Sequence, residues 1–128
     1  MKFLSVYKSV ERNTPPTAAE MERMGKLVEE GFKSGKLLAT EGCMPSIHGA
    51  RIRQDADTGS AIVTDGPFSE SKEVIGGFAI FQAGSKEEAI EYVLEFLSVV
   101  GQGECELRQV YEAGADVTCL EHVAKAKA

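Results

Sequence analysis

The chain has 128 residues and a net charge of −6, a length that fills one hydrophobic core and not two. Its 43% apolar and 27% charged residues exclude disorder of the whole chain, and its acidity makes nucleic acid and anionic lipid poor partners. No apolar run reaches the ~18 residues that span a bilayer, and three widely spaced cysteines, Cys43, Cys105 and Cys119, without a CxxC pattern exclude a zinc cage or a paired redox site.

Residues 2–8 alternate as a strand, with Leu4 and Val6 on one side and Phe3 and Tyr7 on the other. The apolar stretch is too short for a signal peptide, which points to a cytoplasmic protein with free thiols. A polar loop with Pro15-Pro16 leads to Thr17-Ala18-Ala19-Glu20, which has the form of a capping box. The helix that follows sets Met21, Met24, Leu27, Val28 and Phe32 on one stripe, and Gly35 stops it.

Residues 37–39 read as a short strand and 41–46 as a turn-rich loop. Residues 49–54 and 60–64 form the arms of a hairpin around Asp55-Ala56-Asp57-Thr58-Gly59. Residues 77–82 are apolar on both sides, the mark of a central strand. Ser85-Lys86-Glu87-Glu88 is a second capping box, and its helix presents Ala89, Ile90, Val93, Leu94 and Leu97. A last strand covers 104–111. The domain is set at 1–112, with 113–128 as a tail that either forms a short docking helix or frays.

The order β-α-β, hairpin, β-α-β predicts an α+β fold of ferredoxin-like plan: an antiparallel sheet, two helices on one face and an extra hairpin. The other face, carrying Phe78 and Ile80 or their alternates Ala79 and Phe81, needs cover. A second subunit in a two-fold, face-to-face homodimer is the simplest.

The segment Thr64-Asp65-Gly66-Pro67-Phe68-Ser69-Glu70-Ser71-Lys72-Glu73 is the best candidate for function. Asp65-Gly66-Pro67 is turn chemistry, and Phe68 in a polar loop acts as an inward anchor. Three carboxylates and an amine in so short a span exceed what a turn needs. As structure, the segment is a capped, Phe-anchored connection. As function, it is a pocket wall offering a carboxylate for acid–base work or for holding a ligand: Asp65 is the candidate catalytic group, Asp65 and Glu70 are the polar anchors, and Gly66, Pro67, Phe68, Lys72, Glu41 and Tyr7 contribute. His48, beside Glu41 or Asp65, would be a general base; the plain alternative is a surface histidine. Cys43 is a nucleophile only with a base partner, and otherwise an ordinary thiol. His48 and His122 have no metal-ligand spacing, and no motif calls for a cofactor.

The run from Val63 to Phe78 resembles the signature of the YCII-related family, in its DGPF branch. Glu41-Gly42 with Pro45-Ser46, Gly49-Ala50-Arg51-Ile52-Arg53, Ser85-Lys86-Glu87-Glu88-Ala89-Ile90-Glu91 and Glu106-Leu107-Arg108-Gln109-Val110-Tyr111 resemble other parts of that branch. The resemblance covers about residues 1–112 and implies a ferredoxin-like, dimeric α+β-barrel fold without implying a particular activity. Shorter YCII-like members carry a histidine on the first helix and an aspartate beyond the second, proposed as a catalytic dyad. Residues 17–34 contain no histidine, so that dyad is not carried over. Members of the branch also occur beside or fused to sigma-factor-like regulators, which implies a second reading: a non-catalytic dimerisation or regulatory module.

Overall fold

The computed structural model describes residues 1–12 and 14–112. The tail from 113, including its expected docking helix, Cys119 and His122, lies outside the described residues. Strands β1 (Lys2–Ser9), β2 (Leu37–Gly42), β5 (Val74–Gln82) and β6 (Glu104–Val110) form one sheet in the order β2-β5-β1-β6. Every pairing in it is antiparallel. Helices α1 (Ala18–Lys33) and α2 (Lys86–Val100) contact each other and flank the sheet at β2 and β6. This is a ferredoxin-like α+β domain. Strands β3 (Ala50–Gln54) and β4 (Ala61–Asp65) make a separate two-stranded ribbon inserted before β5. Neither helix is long and apolar enough to cross a membrane.

At both helix starts the N-cap half of the capping box forms, while Glu20 Oε2 pairs with Arg12 and Glu88 Oε2 accepts the Gly84 amide instead of closing the box. Thr17 Oγ1 accepts the Glu20 amide at 3.2 Å, and Ser85 Oγ accepts the Glu88 amide at 3.1 Å. Each satisfies a backbone donor that the first turn leaves unpaired. Gly35, at φ 77°, follows the Ser34 cap as a left-handed stop.

Strand β5 sits between β2 and β1, as its two-sided apolar character requires. Direct partners across antiparallel strands share a face, so Phe3, Ser5 and Tyr7 face the helices with Phe81, Ala79 and Gly77. The core is built there: Phe3 and Phe81 are the largest fully buried side chains, their rings stack at 6.0 Å, and Tyr92 tilts onto Phe81 at 4.8 Å.

The helix stripes differ from the periodicity in part. On α1 the inward line runs through Met24, Leu27, Val28 and the buried Gly31, while Met21 and Phe32 are exposed. Gly31 marks the closest approach: a methyl group there would lie 2.7 Å from Tyr92 Oη and 2.8 Å from Leu37 Cβ. On α2, Ala89 and Val93 are buried, but Ile90 and Leu94 are exposed, and Tyr92 and Phe96 turn inward instead. Those two rings meet Phe81 and Tyr7, so aromatic packing across the layer decides the rotation of α2.

Candidate functional site

The 64–73 segment is clamped to its neighbours by its own signature residues. The Gly66 amide donates to Gly49 O at 2.9 Å, and the Gly66-Pro67 peptide is cis. The Phe68 amide donates to Ser46 Oγ at 3.0 Å, and Ser46 is buried. The Arg51 guanidinium lies 4.0 Å above the Phe68 ring. Its Nη1 donates to Glu70 Oε1 at 2.8 Å and its Nη2 to Ser71 Oγ at 2.9 Å. A turn at Ser69-Glu70 closes with Ser71 N on Phe68 O at 3.1 Å. One planar cation thus stacks, bridges and hydrogen-bonds at once, which a lysine cannot do.

Asp65 is exposed at the end of β4 opposite Ala50, and no ion pair holds it among the described residues. His48 is exposed in the 3₁₀ turn Ser46–His48; no ion pair joins it to Asp65 or Glu41 among the described residues. Lys72 is exposed beyond the clamp. The structure therefore gathers Phe68, Glu70 and Ser71 around Arg51, ties Gly66 to Gly49, and does not join Asp65, His48 and Lys72 into one cluster.

The space for a ligand lies between the helices and the sheet. An inner hollow of about 400 Å³ is walled by β5, β2 and the inward sides of both helices, with Phe81, Phe96, Val93, Leu27 and Thr40 in its lining. An outer hollow of about 660 Å³ lies toward the loop after β1, the start of α1 and the turn at Ser46. Both share Tyr7, Met24, Val28, Gly76 and Val100, so they are two chambers of one bent cleft. Residues 64–73 contribute no lining side chain to either chamber. The segment borders the outer one through its successor Val74 and through Ser46, which holds Phe68.

Tyr7 is the partition. Its ring meets Phe96 edge-on at 5.2 Å, and its hydroxyl donates to Gln102 O at 2.7 Å. The ring fits because two glycines flank it. A methyl group at Gly76 would sit 3.1 Å from Tyr7 Cδ2, and one at Gly103 would sit 2.5 Å from Cε1.

Glu41 also lines the inner chamber, at its β2 edge. Its direct partner, however, is Phe78, which pairs with Val6, and this register sets its side chain on the sheet face away from the helices. Thr40, one residue earlier, turns inward and donates through Oγ1 to Phe78 O at 2.8 Å. Burial raises the Cys105 thiol pKa, opposed by its hydrogen bond with Ser5 and reinforced by Glu104. Burial and Glu95 raise the Tyr92 phenol. Both groups stay protonated and neutral at physiological pH, Tyr92 as part of the inner lining and Cys105 packed against the core rather than as an activated nucleophile.

Sequence patterning assigns none of Arg51, Ser46, Met24, Phe96 and Gly103 to a site, although Met24 lies on the predicted α1 stripe. Arg51 was legible only as part of a hairpin arm. Phe96 carried a signal in its spacing of four from Tyr92.

The family model for the YCII-related domain matches residues 1–113. Over 72 residues the chain is 37% identical to an uncharacterised protein of Rhizobium meliloti (strain 1021), a match spanning 56% of each chain.

Proposed function

The chain belongs to the YCII-related domain family, and from that premise we propose that it binds a small molecule in the two-chambered cleft beneath its helices. The observation that carries this reading is the inner hollow of about 400 Å³, within the size range of ligand pockets. It has the usual composition of such sites: apolar walls with a few fixed polar atoms, here those of Tyr7, Thr40 and Ser5. In this reading the DGPF-type segment builds the site without entering it, because the clamp on Phe68 fixes Ser46 at the outer rim.

A thermal-shift screen of metabolites tests the proposal. A hit raises the midpoint of the wild-type chain by an amount that grows with the logarithm of one plus the ligand concentration over Kd. It fails on Met24→Trp, which fills the wall shared by the chambers, and binds Asp65→Asn as it does wild type. Loss of binding in Asp65→Asn with retention in Met24→Trp would move the site to the 64–73 segment.

The assembly we propose is a homodimer through the open sheet face. Leu4, Val6, Phe78 and Ile80 lie half-buried at the centre of that face, and the helices both pack on the other side. Charged pairs flank this apolar centre, with Lys8 3.4 Å and Arg108 3.5 Å from Glu106. A two-fold contact would cover the centre and leave the charges at the rim. Sedimentation equilibrium at micromolar concentration gives a dimer mass in this reading; Ile80→Glu gives a folded monomer. A wild-type monomer mass would oppose it. The alternative, a dimerisation or regulatory module without a ligand, gains ground if the dimer forms and the screen finds nothing.

A further inference from the structure

We infer that the cleft selects its ligand by charge, taking a small amphiphile whose polar end is a neutral or cationic hydrogen-bond donor, most simply an amine, and turning away carboxylates and phosphates. This rests on the reading of the cleft as a ligand site.

The inner chamber accepts only an apolar group. Among the described residues its one charged lining residue is Glu41, whose side chain the strand register sets on the opposite sheet face. No described side chain there can neutralise an ion, and an ion buried without a partner in such surroundings is strongly disfavoured.

The outer chamber decides the polar end. Among the described residues, its charged lining residues are Glu11, Arg12 and Glu20. The one cation among them is engaged, since Arg12 Nη1 lies 3.3 Å from Glu20 Oε2. The positive end of α1 opens nearby, but the Thr17 side chain and the first-turn carboxylate of Glu20 already answer it. Glu11 is left as the unbalanced charge: its Oε2 accepts the Ser46 amide at 3.4 Å, a long hydrogen bond. The Tyr7 hydroxyl donates its proton to Gln102 O, so what it offers a ligand is an acceptor. Glu11 and the Tyr7 hydroxyl thus ask for donors, and the chain's net charge of −6 adds a negative field.

The experiment is a titration of the ¹⁵N-labelled full chain with n-hexylamine, 1-hexanol and hexanoate at neutral pH, read by amide shifts in NMR. These share one apolar group and differ in the polar end. The expected result is shifts at Tyr7, Met24 and Val100 with the amine and the alcohol, and an amine affinity roughly tenfold above that of hexanoate. Glu11→Gln should bring amine and carboxylate within about twofold of each other and leave the alcohol unchanged, as should high salt. Hexanoate binding as tightly as hexylamine overturns the charge selection and leaves the cleft as a ligand site. An amine preference that survives both Glu11→Gln and high salt overturns the role of Glu11. No shift at the cleft with any of the three overturns the ligand site itself.

Discussion

Gly103→Ala lowers the melting midpoint by roughly 15 °C and abolishes binding in the cleft. Two penalties coincide at this position. The backbone has φ 105°, a region in which an L side chain is strained by about 1–2 kcal/mol. The added carbon would also lie 2.5 Å from Tyr7 Cε1, 2.8 Å from its hydroxyl and 2.7 Å from Lys8 O. The Lys8 carbonyl belongs to β1 and cannot yield, so the tyrosine ring must leave. Overpacking of this kind costs about 1–3 kcal/mol. Removal of the tyrosine hydroxyl alone, in Tyr7→Phe, deletes one hydrogen bond to Gln102 O and costs about 1 kcal/mol. The double variant Tyr7→Ala with Gly103→Ala removes the ring that meets the methyl group, so its loss should be smaller than the sum of the losses of Tyr7→Ala and Gly103→Ala alone. Calorimetric melts of the four proteins check this; strict additivity would show that the glycine answers to backbone strain and not to the ring.

Gly66→Ala lowers the midpoint by roughly 10 °C. A β-carbon here would occupy the place of the Ser46 carbonyl oxygen, with Ser46 C 2.6 Å away and Gly49 O 3.3 Å away. These are backbone atoms of the turn that feeds β3, and the Gly66 amide is bonded to Gly49 O at 2.9 Å. Relief therefore requires the turn to separate from the signature segment, which also pulls Ser46 from the Phe68 amide and from the rim of the outer chamber. Gly25→Ala is the matched control. It lies inside α1 with no atom within 4 Å of the added carbon, so alanine should gain about 0.5–1 kcal/mol. If Gly66→Ala melts with the wild type, the tight apposition of the segment to Ser46 is not what holds it.

Local chemistry made much of the fold legible. The two S/T-x-x-E boxes announce helix starts because the cap and its partner are close in sequence, and both N-caps form. The turn residues at 55–59 announce the ribbon, and the unbroken apolar run of β5 announces a central strand. The side of a chain that faces inward was less legible. The Ile90–Leu94 line and the Tyr92–Phe96 line on α2 are adjacent stripes of similar apolarity, and only Phe81 and Tyr7 across the layer choose between them. Glu41 shows the same limit in a strand. A register shift between Leu37 and Ala39 turns every later side chain of β2 over, since the strand period is two. Arg51 was out of reach for another reason. Its partners Glu70 and Ser71 lie 19 and 20 positions away, beyond any local spacing rule. The signature segment was recognised as special, but what makes it special is a contact with a residue outside it.

The ribbon β3–β4 offers a point of attachment. Both strands are exposed along their length, and the ties described here grip it at its base, through Arg51 and Gly66, rather than at its tip. The tip at Asp55–Gly59 closes on itself, with Asp55 N on Ser60 O at 2.8 Å and Gly59 N on Asp55 O at 2.9 Å. A peptide tag or a fluorophore grafted there lengthens a loop whose closure costs only about 0.6 kcal/mol per doubling. The same molecule can then be immobilised or observed while its termini, its sheet face and its cleft are left untouched.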